Sequence, residues 1–469
     1  MKHRTTLICF VAALFCGGAL SPLCAQSNTF NLLYTFTSTN GDGVGPFGGL
    51  IISSNTLYCT TDLGGSAHAG TVFSINADGS GISNLSSFPG GDGGVGSTFG
   101  VTISDNTLFG TTSGGGSGNS GTVFRLNTDG SDFTNLYDFT ALIGGLLTNS
   151  DGGEPGGLTL SSNTLYGITL DGGSEGAGTV FRINTDSSDF TNLHNFASTE
   201  GIGFLPTSGH LVLSGNTLFG TAPWSGNDGC VFSLNTDGSN FKNLYSFTNG
   251  ADGAAPCPDL ILSGSTLFGT AFSAGTNGNG TIFSLNTNGS NFTILHSFAA
   301  TTAKKSGYYI INSDGAQPMG LILSGNMLYG TTEQGGSSGY GTVFSMNTDG
   351  TEFTNLYNFT GGSDGSGPDA LLLSGNTIYG TSSEGGNNGD GTIFALTLPL
   401  PTLVVAATSS QVVISWPASA ANFVLQTTSD LSSGSWSNIT SEIFTNGPNC
   451  VLTNTLSSQA AFFRLQQAP

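Results

Sequence analysis

Seven times along the chain an acidic residue is followed directly by glycine in a loop that precedes an apolar run: Asp42, Asp92, Asp151, Glu200, Asp252, Asp314 and Asp364. Two chemistries suit this pattern. Seven carboxylates on one face could serve as oxygen ligands for Ca²⁺, a hard cation that prefers carboxylate and carbonyl donors. Asp-Gly is also a turn dipeptide, because both residues tolerate a left-handed backbone, and a turn needs no metal. No D-x-D-x-D-G loop backs the metal reading.

Other groups are sparser. His68 and His210 stand near the same loops, with no cysteine or second histidine at metal spacing, and His194 and His296 occupy a position otherwise held by tyrosine. Trp224, Tyr308 and Tyr309 lie in loops that break the repeat, the tyrosines beside Lys304 and Lys305, and rim aromatics are common platforms for sugars. Beyond the N-terminal segment the arginines are Arg125, Arg182 and Arg464, too few and too scattered for a sialidase. A glycosidase working through two carboxylates has ample acids to draw on, but no pair stands out. Glycine runs such as Gly114–Gly118 lack the lysine and helix of a phosphate loop.

The elements that must position these groups are copies of one unit. A G-T-V-F-like motif begins at Gly70, Gly121, Gly178, Gly229, Gly280, Gly341 and Gly391. Each unit reads as four strands, a to d, separated by Gly, Asn, Asp and Ser clusters. Strand a is the apolar run of Leu158–Ser161 or Leu260–Ser263, b is Thr-Leu-aromatic-Gly, c opens with G-T-V-F, and d ends in Leu-Tyr-x-Phe. The c-to-d spacing is constant through Asn-Thr-Asp-Gly turns such as Asn127–Gly130, whereas the d-to-a connection varies every time. Constant spacing predicts a packed hairpin; variable spacing predicts exposed loops, where binding residues tend to sit.

The seventh unit stops after strand c, near Thr397, and an unmatched Leu-Tyr-x-Phe stands at Leu33–Phe36, before the first. These predict an all-β, seven-bladed β-propeller over 29–398, closed by the N-terminal strand so that no blade edge stays free. Residues 399–401 are expected to be a stiff linker. Residues 402–469, with alternating strands around Trp416, read as a small β-sandwich. Residues 1–25, with Lys2, His3 and Arg4 before an apolar stretch, read as a signal peptide. The remainder carries six Lys and Arg against 29 acids, a formal charge of −23, which argues against nucleic acid and anionic membrane as partners. Its four cysteines, Cys59, Cys230, Cys257 and Cys450, are expected to stay unpaired, with Cys230–Cys257 the one pairing that neighbouring strands would permit.

The motifs G-T-V-F, N-T-D-G-S-x-F and L-Y-x-F, in that order and in seven copies, resemble the GloVer tandem repeat of secreted bacterial proteins. The resemblance implies an exported repeat protein of unassigned activity, often tethered at the C-terminus. The tail resembles fibronectin type III-like modules. Neither resemblance supplies catalytic residues. The expectation is a secreted or cell-surface, non-catalytic binding or adhesion scaffold, monomeric and without a membrane span in the mature chain. Its ligand would be an extracellular polysaccharide or protein bound on the d-to-a and b-to-c rim, at Trp224, Tyr308, Tyr309 and His68. The alternative is a glycoside hydrolase using a rim carboxylate pair.

Overall fold

The computed structural model describes residues 28–469 except 40, 97–98, 145–146, 198–208, 224–227, 306–308, 408–410, 418–422, 430–434, 441, 447–448, 456–461 and 468–469. The expected signal peptide, residues 1–25, and Glu200, Trp224 and Tyr308 therefore lie outside the described residues. Within them the chain is all-β; the helical turn at Gly91–Gly93 is a single 3₁₀ turn. No helix among the described residues is long and apolar enough to cross a membrane.

Seven antiparallel sheets follow one another in a propeller-like arrangement. Sheet one is Val44–Ser53, Thr56–Leu63, Thr71–Asn76 and Ser83–Ser87; sheet two is Val101–Ser104, Thr107–Thr112, Thr122–Asn127 and Thr134–Asp138. Sheets three to six repeat the pattern, their c strands being Thr179–Asn184, Cys230–Asn235, Thr281–Asn286 and Thr342–Asn347. In sheets three and five, strand a is split into two short pieces, Gly153–Pro155 with Thr159–Ser161 and Ala254–Pro256 with Ile261–Ser263. Sheet seven takes Ser366–Ser374, Thr377–Glu384 and Thr392–Thr397 from the end of the repeats and Thr29–Thr35 from their beginning.

That first strand behaves as a strand d. It pairs antiparallel with strand c from Thr29 opposite Thr397 to Thr35 opposite Thr392. In the other six sheets a bulge interrupts the c–d ladder between the Val or Ile and the Phe of G-T-V-F, as at Val180/Phe181. In sheet seven the bulge falls opposite Ile393 and Phe394, the same two positions.

The core consists of seven apolar clusters, each between one sheet and the next. Phe139 of sheet two, for example, packs with Leu158, Leu165 and Phe181 of sheet three. The series runs on through sheets six and seven and from seven to one, where Phe36 and Ile393 pack with Leu57 and Phe73. The strand-c phenylalanine is wholly buried in every sheet. It fits because strand b offers a glycine beneath it: a Cβ on Gly110, Gly167, Gly220, Gly269, Gly330 or Gly380 would come within 2.6 Å of the ring. Sheet one has Cys59 at that place. Its strand a carries one more residue between Pro46 and Ser53 than sheet seven has between Pro368 and Ser374, and the Cys59 thiol sits against the carbonyls of Phe47 and Gly48.

The aromatic of strand d links neighbouring sheets. Tyr137 stacks on Phe190 of the next sheet with ring centroids 3.8 Å apart, and Tyr245 on Phe292 at 3.6 Å. The two histidines at the tyrosine position do the same, His194 on Phe241 and His296 on Phe353. Phe30 of the N-terminal strand continues the series by stacking on Tyr357 at 4.0 Å.

Residues 402–469 form two further sheets. One holds Val404–Ala407, Gln411–Pro417, Asn449–Thr455 and Ile443–Asn446; the other holds Ser437–Asn438, Phe423–Thr428 and Phe462–Gln467. They share a core of Leu403, Ile414, Trp416, Leu425 and Leu452.

Candidate functional site

The acids of the d-to-a loops are structural clamps. Asp364 accepts hydrogen bonds from the Tyr357 hydroxyl at 3.0 Å, the Thr360 amide at 2.9 Å and the Thr360 hydroxyl at 2.6 Å. Asp42, Asp151 and Asp252 accept from the equivalent tyrosine and threonine, Tyr34 with Thr37, Tyr137 with Thr140 and Tyr245 with Thr248. In sheet five His296 replaces the tyrosine, and its Nε2 meets Asp314 at 2.9 Å. The backbone is held as well: the strand-c threonines Thr179, Thr281 and Thr392 donate to the carbonyls of Asp151, Asp252 and Asp364. The following glycine is required by space. Gly152 has φ 107°, and a Cβ there would lie 2.2 Å from the Thr169 hydroxyl. Burial raises the Tyr245 hydroxyl to about 12, helped by its bond to Asp252. Asp252 itself is pushed up by burial, but the bonds from Thr248 and Tyr245 outweigh this and hold it below its ordinary value.

Asp92 is the exception. Sheet one has Ser86 at the place of the clamp tyrosine and Pro89 at that of the threonine, and the Asp92 carbonyl accepts from Asn135. Each clamped acid belongs to its own loop, and among the described residues no three of His, Cys, Asp and Glu gather as a metal site. The clamp gives a clear expectation. Asp364→Ala leaves the Tyr357 hydroxyl and Thr360 amide without their acceptor and should cost about 2–3 kcal/mol in urea denaturation. Adding Tyr357→Phe should then cost much less than it does alone. The parent's melting temperature should not change with chelator or with added Ca²⁺.

The longest d-to-a loop carries an extra hairpin, Ala303–Lys305 with Tyr309–Ile311. Tyr309 lies 4.6 Å, ring to ring, from Tyr340 of the sheet-six b-to-c loop, and the Ile310 amide donates to Gln334. Gly361 sits against the Tyr340 ring, since a Cβ there would meet three ring atoms at 2.6 Å. Burial raises the Tyr309 hydroxyl, with the nearby charge of Glu384 adding to it. His68 is exposed in the sheet-one b-to-c loop at φ 55°. A cleft of about 510 Å³ opens on the opposite, tight-turn side between sheets four and five, lined by Ser233, Asn240, Lys242 and Asn288.

A second group of polar residues lies where the inner strands converge. The residue just before the first buried apolar residue of strand a is Gly49, Gly100, Gly157, Gly320 or Ala370 in five sheets but His210 and Asp259 in sheets four and five. Small residues suit this place: a Cβ on Gly100 would meet the Gly49 carbonyl at 2.4 Å, and one on Gly157 would meet the His210 ring at 2.8 Å. His210 and Asp259 bridge sheets four and five, the backbone amide and Nδ1 of His210 meeting Asp259 Oδ1 at 3.0 and 3.3 Å. Burial pulls the His210 imidazole down, but Asp259 overcomes this and leaves it above its ordinary value. Asp369 of sheet seven accepts the Gly48 amide of sheet one at 3.0 Å. Burial pushes its carboxyl up to about 6, against the pull of the Gly48 bond and with a contribution from Asp259. Glu333 of sheet six is raised by burial and by the charges of Glu384 and Asp369.

Sequence reasoning noted His210 as isolated and did not single out Asp259, Asp369 or Glu333. For His210 and Asp259 the one available signal was a charged or ionisable side chain in an otherwise small-residue column, whereas the columns of Asp369 and Glu333 hold no one residue type throughout. Among the described residues Cys59, Cys230, Cys257 and Cys450 form no disulfide, so Cys230 and Cys257 are not bridged. Cys257 donates to the Pro318 carbonyl, and burial pushes its thiol up to about 12, which keeps it unreactive.

Among solved structures the chain is similar to an oligogalacturonate lyase from Vibrio parahaemolyticus, at 12% identity over 80% of this chain and 98% of that one, with a TM-score of 0.49. It is also similar to an oligogalacturonate lyase in complex with manganese, at 13% identity over 80% and 97%, TM-score 0.48. The computationally designed protein Ika8 is similar at 15% identity over 76% and 98%, TM-score 0.46. No curated protein matches the chain. The profile of the Gloeobacter/Verrucomicrobia repeat matches three times, over residues 15–222, 145–315 and 305–419. With matches overlapping across most of its length, the chain belongs to the Gloeobacter/Verrucomicrobia repeat family.

Proposed function

We propose that the chain is a seven-bladed β-propeller completed by its N-terminal strand, followed by a fibronectin type III-like sandwich. We read it as a secreted or cell-surface binding protein, monomeric and non-catalytic, that takes an extracellular polysaccharide or protein on the rim of the d-to-a and b-to-c loops. One observation carries this reading. Five of the recurrent acids of that rim, Asp42, Asp151, Asp252, Asp314 and Asp364, are held in clamps to their own sheets, so the frame is constant while the loops between clamps vary. The largest variation supports an aromatic surface at Tyr309 and Tyr340. Aromatic faces with nearby carboxylate and amide groups suit sugar rings, which pair an apolar face with hydroxyls.

A glycan array combined with product analysis tests the reading. Binding without product release is expected, and Tyr309→Ala should weaken it about tenfold, the worth of one aromatic contact. Glu333 and Asp369 support a glycoside hydrolase as the second reading, because a general acid must remain protonated near neutral pH. Turnover that disappears in both Glu333→Gln and Asp369→Asn would replace the first reading with the second.

A further inference from the structure

We propose that the converging inner strands form a proton-operated latch, in which Asp369 on Gly48 joins the last sheet to the first and His210 on Asp259 joins sheet four to sheet five. The latch would be tightest in mildly acidic medium and would loosen at the closing seam as the medium becomes neutral. The inference does not depend on what the rim binds.

The closing seam lacks a contact that four other seams make. At four seams a strand-b threonine donates to an inner-strand carbonyl of the next sheet: Thr111 to Gly156, Thr221 to Cys257, Thr270 to Met319 and Thr331 to Asp369. The matching hydroxyl at the seam from sheet seven to sheet one is that of Thr381. It is buried and without a partner, as is the Ser382 hydroxyl beside it. The carboxylate of Asp369 spans the seam instead. The titratable groups that act on it or feel its charge are Asp259, Glu333 and the thiols of Cys59 and Cys257, so no cation stands among them.

The direction follows from linkage. Asp369 titrates higher folded than unfolded, so its contribution is complete below the ordinary carboxylate value and is lost as pH rises through about 6. His210 is also raised, so its pairing is complete below the ordinary imidazole value and is lost as pH rises through its folded value. Asp259 is pushed up by burial but held down, on balance, by His210, and its share is lost only as pH falls through that depressed value. The three contributions therefore overlap most fully at roughly pH 4, and the share of Asp369 shrinks from there until it is gone above about 6.

Hydrogen exchange of the full chain, corrected for the intrinsic effect of pH, tests this at pH 5 and pH 7.5. Amides of Val44–Ser53 and Ser366–Ser374 should exchange on the order of tenfold faster at pH 7.5, the shift of Asp369 discounted for its partial solvent access. Asp369→Asn should remove the difference and hold the seam at the parent's pH 5 protection at both pH values. His210→Gln should loosen Val212–Ser214 at pH 5 and leave the Gly48 seam unchanged. A parent seam that is equally protected at both pH values overturns the proposal. So does an Asp369→Asn seam that keeps the parent's difference. Should Asp369→Asn fail to fold, the exchange of the Gly48 amide in the parent decides alone.

Discussion

Deletion of residues 27–37 is expected to give a protein that melts far below the parent and aggregates. The deletion removes the ladder from Thr29–Thr397 to Thr35–Thr392 and bares strand c of sheet seven. It also removes Phe36, wholly buried between sheets seven and one, and the Phe30 ring that stacks on Tyr357 and touches Phe359 and Phe394. Burial of these side chains is worth several kcal/mol, a large part of the net stability of an ordinary domain. The exposed edge is a template for pairing with another chain. The same strand placed directly after Thr397, in place of the linker, should restore monomeric stability. Size-exclusion chromatography and thermal melts of the three proteins settle the matter. A deletion that stays monomeric and melts like the parent would show that the N-terminal strand does not hold sheet seven.

The second large effect concerns Phe181. Its ring is fully buried, meets Phe139 edge-on at 5.3 Å and stacks near Phe190 at 5.7 Å, and its tip lies over Gly167. Phe181→Ala should cost about 3–5 kcal/mol, because the rigid sheets on either side cannot close the void. Gly167→Ala should cost about 1–3 kcal/mol for the opposite reason, since its Cβ would stand 2.4 Å from the ring tip. Combined, the two should cost less than their sum, the added methyl entering space that the ring has left. Urea denaturation of the four proteins measures the coupling. Strict additivity would show that the glycine is not there to make room for the ring.

Much of this was legible in the residues. The constant hairpin from G-T-V-F to L-Y-x-F, the recurring phenylalanines of those two motifs and the unmatched strand at Leu33–Phe36 all follow from repetition, which reveals a column wherever one residue type recurs. The seven rim acids were visible for the same reason, but their role was not. Asp364 and Tyr357 recur at separate places in the unit, and nothing in a spacing says that a carboxylate bonds a hydroxyl rather than a metal. The inner-strand group was hidden because its members come from different repeats: His210 and Asp259 are exceptions to a small-residue column, and Asp369 and Glu333 stand in columns that hold no one residue type throughout. Repetition supports inference about what recurs, whereas these contacts depend on where the copies differ.

The stitched construction of sheet seven also has a kinetic consequence. Thr29 and Thr397 lie at opposite ends of the repeats, so the strand synthesised before the six others of its kind is the last to find its partner. Pairing of such high sequence separation is slow, because the chain between must be ordered first. Until then TFNLLYT, uncharged and carrying two aromatics, waits as an unpaired segment of high β-propensity. Six sheets can form as their hairpins emerge, but the seventh is a checkpoint that only a complete chain passes. A chain cut short before Thr392–Thr397 thus keeps that strand without its partner, an edge open to pairing with another chain.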